Sequence, residues 1–517
     1  MTNAFSLFRS LIIYSICLPL AAIVGYLLAT SDGPKDQIMS IAVILSLMSI
    51  PMFLRWHYPW MLITWNMAAV VFFLPGKPGV GLVVLMISFG ISVLQYVLNR
   101  QMKFISVPMV ARPLLFILGV VLLTARLTGG IGLNALGGDG GNIGGRRYIA
   151  LILAIMGYFA LAAVKIPKQK QRLYVFLYFA GMLSMVIANL ALVIAPGFSF
   201  IFLIFPTDQE GIAALSNSTI GQTSSMVRLG GLANASVALI STMLAFYGIR
   251  GIIDLRKSWR LPLLLLAMVA TLFGGFRSQV ILVVLMLAIM FYMEGLTNSR
   301  LLPMLLLTLV LGMAVMVPFA DKMPLTVQRS LAFLPVKLDP IAVDNAQAST
   351  EWRLAMWADV LPQVPQYLIL GKGLSINQQE LNMEMAHMNK GEGTGASAAL
   401  AGDYHSGPLS LIIPFGLFGV AGFVWFLVGS LKVLYRNYKF GDPDLLLFNR
   451  FFLAQFIVKI LIFVFIFGSF YGDLIYFVGI IGMSIALNHG VAQPVTEPVT
   501  RPVFNKFKLA NANAARG

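Results

Sequence analysis

Long hydrophobic runs, broken by short polar or Gly/Pro-containing connections, recur along nearly the whole chain. Runs of roughly 17 to 25 apolar residues meet the length a helix needs to cross a bilayer core. Stretches of about ten residues with alternating polarity are not seen, which argues against an outer-membrane barrel. The pattern predicts an all-α polytopic membrane protein of about 12–14 transmembrane helices. The spans fall near 10–30, 38–54, 58–75, 79–97, 110–126, 148–165, 173–197, 233–250, 260–276, 277–295, 300–319, 409–434, 448–470 and 472–488. The Gly/Pro-punctuated pieces over 58–97 read either as full spans or as shorter, re-entrant segments, which gives the lower count.

The connections set the orientation. "KIPKQKQR" (165–172) and "RGIIDLRKSWR" (250–260) are the strongest Lys/Arg clusters, and two spans separate them. The preference of basic loops for the cytoplasm puts both on that side. "LKVLYRNYK" (431–439) and the tail bearing Arg501, Lys506 and Lys508 fall there too, so both termini are expected in the cytoplasm. The connections near 127–147, 198–232 and 320–408 then face outside. The expected organisation is N-terminal spans over 1–126, spans with external Arg-bearing loops over 127–319, and a large external (periplasmic) loop over 320–408. C-terminal spans follow over 409–488, and a flexible, Pro-rich cytoplasmic tail over 489–517. A loop as long as 320–408 is uncommon unless it is functional or disordered. No inverted repeat of the kind found in many transporters is visible.

Composition agrees. Of 517 residues, 59% are hydrophobic and 11% charged, with a mean hydropathy of +0.86; a soluble domain carries about 25% charged residues. The net charge of +16 is scattered over short loops. That distribution fits topology signalling and contact with anionic lipid head groups, not nucleic acid. A single cysteine, Cys17, permits no internal disulfide and no thiolate metal cluster. The apolar run after Arg9 reads as an uncleaved signal-anchor.

The external face should be poor in arginine, so the arginines there carry information. They are Arg146 and Arg147 in "GGRRY", Arg228 in "SSMVRLGGLANAS", Arg277 in "FGGFRSQVILVV" and Arg353 in "STEWRLAMW". A guanidinium fork matches phosphate oxygens. The competing reading is that each snorkels to lipid head groups or pairs with a loop carboxylate; it is weakest for Arg277, at a hairpin after Gly274 and Gly275 with no acidic neighbour in sequence. Asn234 or Ser236 could cap the helix after Arg228, whose outward N-terminus favours an anion; an ordinary capped helix has the same features. Of four histidines, His405 stands beside Gly407 and Pro408, where the large loop meets a span. Alone, a histidine there is more often a packing residue than a functional one. His387 lies in a polar, Gly-rich stretch and reads as a surface residue.

The order of these motifs resembles the O-antigen ligase and O-antigen polymerase superfamily of bacterial membrane glycosyltransferases. The resemblance covers roughly 190–430. "RLGGLANAS" (228–236) is similar to the family's Arg–Gly–Asn segment. "FRSQVILVV" (276–284) is similar to its Ser-Arg-Gly hairpin, here ordered Arg277–Ser278 with Gln279 in place of glycine. "STEWRLAMWADVLPQVPQYLILGKG" (349–373) is similar to its loop element of arginine, tryptophan and Gly-x-Gly, and "YHSGPLSLIIPFGLFGVAG" (404–422) to its His signature before a glycine-spaced helix.

The resemblance implies a GT-C-like fold and an inverting, metal-independent glycosyltransferase of the bacterial inner membrane, needing no cofactor and acting at the periplasmic face. The donor would be a glycan on undecaprenyl pyrophosphate. The acceptor would be another glycan, lipid A core or a protein side chain, with a chain-length regulator as a further partner. No Asp-x-Asp occurs in the external loops to hold a divalent ion. Charge on the leaving pyrophosphate then requires cationic side chains. Arg228 and Arg277 are assigned that role, with Arg146, Arg147, Arg353 and Asn234 as secondary substrate contacts. His405 is the expected base for the acceptor hydroxyl, and Asp403 a candidate to orient it. A transporter or flippase for lipid-linked glycans is the alternative from another class; it predicts polar mid-span residues facing a cavity. Lys459 is the one such exception without an explanation in the sequence. The glycine-rich 127–148 stretch reads either as an acceptor groove for a growing exopolysaccharide or as a flexible loop, and a polymerase is slightly favoured over a ligase without a residue that decides it.

Overall fold

The computed structural model describes residues 54–74, 77–98, 104–128, 145–194, 200–206, 226, 228–375 and 402–494, with isolated positions between 18 and 29. Most of the expected spans near 10–30 and 38–54, the glycine-rich 129–144 stretch, His387 and the tail beyond 494 lie outside the described residues.

Among the described residues, eight helices are long and apolar enough to cross a membrane: α1 (Val80–Leu98), α2 (Pro108–Leu127), α3 (Gly145–Ala162), α4 (Lys168–Ile194), α5 (Gly230–Ile253), α11 (Gly407–Phe440), α12 (Leu446–Phe465) and α13 (Phe470–Asn488). Three shorter apolar helices, α6 (Arg260–Leu272), α7 (Arg277–Met293) and α8 (Leu301–Met316), fall between α5 and α11. The large loop adds α9 (Leu325–Leu331) and α10 (Pro340–Val360). Among the described residues the only β pairing is an isolated bridge between Val70 and Gly79. The protein is an all-α polytopic membrane protein.

α12 is the hub, packing on α5, α7, α11 and α13, while α13 also runs along α3 and α11 along α2. Phe423, Phe426, Phe456, Phe463, Phe470 and Phe477 interlock at the centre with ring centroids 5.2–6.5 Å apart, mostly edge to face. Such pairs add about 0.5–1.5 kcal/mol each beyond area burial.

The span expected over 58–75 is not one helix. Residues 54–64 are helical, the helix ends at Trp65 and Asn66, and the chain doubles back to pair Val70 with Gly79. Within the described residues the 58–75 piece is thus shorter than a full span, whereas Val80–Leu98 is long enough to cross a membrane. The span expected over 173–197 is interrupted by a 3-10 turn at Gly181–Met185. These two breaks serve each other: Asn66 Nδ2 donates to Tyr178 O at 2.8 Å, and the Ala68 N–H donates to Ser184 Oγ at 3.0 Å. Backbone groups freed in a bilayer need such partners, because no water replaces them.

Two more breaks follow that rule. α5 kinks at Gly248 (φ 60°), and the Glu294 carboxylate beyond α7 accepts the Ile249 and Arg250 N–H groups at 2.7 and 3.0 Å in place of helix carbonyls. α11 kinks at Gly416 (φ 60°), two residues after Pro414. There the loop segment 368–373 inserts: Lys372 N donates to Ile413 O, Gly373 N to Pro414 O, and Leu417 N to Leu368 O, at 2.7–3.0 Å. The glycines of "LGKG" and Gly416 permit this approach. A Cβ at Gly416 would lie 2.3 Å from Ile369 O, and one at Gly371 2.2 Å from Pro414 O.

Gly416→Ala combines this clash with a left-handed backbone, so a destabilisation of roughly 1–3 kcal/mol is expected. It should appear as a lowered unfolding midpoint in detergent. Gly312→Ala, at a helical glycine whose Cβ would meet nothing within 4 Å, should leave the midpoint unchanged.

Candidate functional site

At one end of the bundle α5, α7, α11 and α13 begin and α12 ends. The loop helix α10 lies over this end, and beneath it opens a cavity of about 610 Å³. Its deeper wall is apolar, with Phe179, Val237, Leu282, Met286 and Val458. Its polar wall includes Arg228, Asn234, Arg353, His405, Lys459 and Asp473.

Arg228 immediately precedes α5. Its Nη2 donates to Asn345 Oδ1 at 3.2 Å, and its guanidinium lies 5.7 Å from the Phe276 ring centre. The same Asn345 oxygen accepts Arg329 Nε at 2.6 Å, while Arg329 Nη1 donates to Gly275 O. Asn345, on α10, thus joins two guanidinium groups. Arg277 opens α7 and donates from Nη2 to Ala346 O at 2.9 Å and Thr350 Oγ1 at 2.8 Å. Those acceptors lie one turn apart on α10, and Arg353 follows on the same face one turn further on. Burial first, then the charge of Arg277, push the Arg353 guanidinium below its usual pKa. Arg353 Nε is buried with no hydrogen-bond partner among the described residues.

His405 sits between the rings of Trp352 (5.2 Å) and Phe467 (5.1 Å). Its backbone is left-handed, φ 46°. The Trp357 Nε1–H, one turn beyond Arg353, donates to Tyr404 O at 2.8 Å, and buried Tyr404 packs on Met356, Val360 and Ile413. The chain before α11 is therefore clamped to α10. Asp403 Oδ1 lies 3.6 Å from His405 Nδ1, close enough for charge attraction and too far for a hydrogen bond. Burial lowers the His405 pKa; Asp403 opposes this and Arg353 reinforces it. The imidazole is consequently neutral near neutral pH.

Arg228, Arg353, His405 and Asn234 line the one cavity, with Asn234 Oδ1 accepting Gln279 Nε2 at 2.7 Å. Arg277 and Asp403 stand just behind, one against α10 and the other against the imidazole. Arg146 and Arg147 do not line the cavity. Arg146 is exposed, and the Arg147 guanidinium stacks 4.7 Å from the Tyr471 ring centre, against Gly402.

Lys459, unexplained by sequence, donates to Asp473 Oδ1 at 2.6 Å, and Asp473 Oδ2 accepts the Ser469 N–H at 2.9 Å. The pair lines the cavity less than two turns from the end of α12. Arg329 was not singled out by the sequence, although it is another arginine in the expected external loop; it is only 4% exposed.

Residues 262–424 match the family model described as O-antigen ligase. The match supports the O-antigen ligase and polymerase superfamily and contains Arg277, Arg353, Asp403 and His405, while Arg228 and Asn234 precede it. The curated proteins include none that matches the chain.

The facing charges make His405 titration a direct readout. Modification by diethyl pyrocarbonate should follow an apparent pKa below 6.5, because burial and Arg353 outweigh Asp403. In Asp403→Asn, which removes the group that raises it, the midpoint should move lower still. In Arg353→Gln, which removes a group that lowers it, the midpoint should move up.

Proposed function

We propose that this chain, with its O-antigen ligase domain at residues 262–424, moves a glycan from undecaprenyl pyrophosphate to an acceptor hydroxyl at the periplasmic face of the bacterial inner membrane, polymerising or ligating O-antigen or exopolysaccharide units. The observation that carries the proposal is one cavity that gathers His405, Arg228 and Arg353 from segments far apart in sequence, with Arg277 directly behind.

In this reading the pyrophosphate lies against Arg228 and Arg353. Charge grows on its oxygens as the glycosidic bond breaks, and fixed guanidiniums stabilise that charge without reorganising during the reaction. Arg277 holds Arg353's helix in place through Ala346 and Thr350 and adds its own positive field. His405, neutral and half-buried at the cavity rim, accepts the proton of the acceptor hydroxyl as its oxygen attacks the anomeric carbon. Attack opposite the leaving group inverts the anomeric centre. The apolar deeper wall suits the isoprenoid part of the donor.

The transporter reading has one observation in its favour, since Lys459 and Asp473 face the cavity. They are paired with each other and lie at the same end as the arginines, so they do not form a polar path through the bilayer.

The test uses purified protein, a lipid-linked oligosaccharide donor and an acceptor, with release of lipid pyrophosphate as the readout. His405→Ala should lower the rate about 10²–10⁴-fold. Arg228→Ala and Arg277→Ala should each lower it about 10²–10³-fold. Chelator should leave the wild-type rate unchanged. Full activity in His405→Ala and Arg277→Ala would overturn the mechanism, and a chelator-sensitive rate restored by a divalent ion would overturn its metal independence.

A further inference from the structure

A second cavity, of about 510 Å³, opens at the opposite end of the bundle. Its walls come from the segment leading into α2, from Lys165 beyond α3, from Arg436 in the last turns of α11, and from residues 489–493 beyond α13. The distance from the first cavity follows from the helices themselves. α11 and α13 start at the catalytic end and reach this cavity with their last turns.

Three features of the lining point to a ligand class. Among the described residues, the ionisable side chains lining it are Lys165, Arg436 and His489, with no Asp or Glu. Ser106 and Gln493 add hydrogen-bonding groups, while Ile105, Val107 and Met109 supply an apolar wall. The site is also held in shape. Buried Asn437 donates to Ser484 Oγ (3.1 Å) and Gly490 O (3.3 Å) and accepts the Ala492 N–H at 2.8 Å. His489 takes a left-handed backbone, φ 56°, with Nε2 2.9 Å from Ile166 O. The Ile105 N–H donates to Ala162 O at 2.9 Å, which ties the α2 side to the α3 side.

We propose that this cavity is a binding site for the phosphodiester headgroup of an anionic phospholipid, with its acyl chains against the apolar wall. Cationic groups without a neighbouring acid favour a phosphate-bearing ligand. The apolar side of the same cavity favours an amphiphile over a free anion. Basic pockets between membrane helices commonly hold such headgroups. The site is separate from the catalytic cavity, and its occupancy does not depend on the transferase reading.

The test is native mass spectrometry of the delipidated full-length protein titrated with phosphatidylglycerol or phosphatidylcholine. The wild type should bind the anionic lipid at least about tenfold more tightly, and Lys165→Gln combined with Arg436→Gln should abolish that preference. Both side chains are exposed, and each single substitution, measured separately, should show a partial loss. Lys168→Gln removes a charge at the same end but outside the cavity, where Lys168 pairs with Asp442 at 2.5 Å, and should leave the preference intact. Equal affinity for the two lipids, an unaffected double variant, or a Lys168→Gln loss as large as the double would overturn the proposal. Displacement of the lipid by millimolar inorganic phosphate would also overturn it, in favour of a free-anion site.

Discussion

Backbone groups inside a bilayer must find partners within the protein, and the end of this molecule that holds the candidate site is built from the places where that demand is met by a second segment. α11 breaks at Pro414–Gly416, and the loop segment 368–373 fills the break with its own amides and carbonyls. That insertion fixes the middle of the large loop to the membrane helix that follows His405. α10 comes just before the insertion in sequence, so fixing one fixes the other. Trp357 then reaches from α10 to Tyr404 O and holds the residues around the imidazole. The soluble loop is therefore part of the membrane fold.

The arginines depend on the same docking. Arg277 contacts α10 through a carbonyl and a hydroxyl, and Arg228 contacts it through a carboxamide. These acceptors are neutral, and each orients the guanidinium it binds. Lys459 in the same cavity is held differently, by the Asp473 carboxylate at 2.6 Å. That ion pair lies near the apolar wall, while the guanidiniums of Arg228 and Arg353 line the polar wall beneath the loop.

Much of this was legible in the sequence, and what was not has a common cause. Arg228 and Arg353 stood out because an external face should be poor in arginine, and His405 because the resemblance singled out a histidine that alone would read as packing. Their convergence on one cavity follows from the order of the spans. Asn345 and Asp473 gave no signal, since each acts on a residue far from it in sequence and looks ordinary in its own surroundings. Arg146 and Arg147 satisfied the same topological argument as Arg228, yet neither lines the cavity, and Arg147 stacks on Tyr471 instead. The early end of the helix at Trp65 and Asn66 was foreshadowed by the Gly/Pro punctuation of 58–97. The interruption of α4 was not, because its partner groups, Asn66 and Ala68, lie more than a hundred residues away.

The left-handed backbone at His405 shows what the architecture maintains. A non-glycine residue there costs about 1 kcal/mol or more relative to ordinary conformations. Here Nδ1 is also buried with no hydrogen-bond partner among the described residues. Neither feature helps folding, so both persist only because the surroundings over-determine them. Trp352 and Phe467 flank the ring, Trp357 holds the preceding carbonyl, and Gly407 packs so tightly that a Cβ would lie 2.2 Å from Phe463 O. Every one of these constraints bears on where the imidazole points and on its state of protonation. Among the described residues Nδ1 stays without a hydrogen-bond partner although the Asp403 carboxylate is only 3.6 Å away, and burial holds the imidazole below its ordinary pKa at the rim of the cavity.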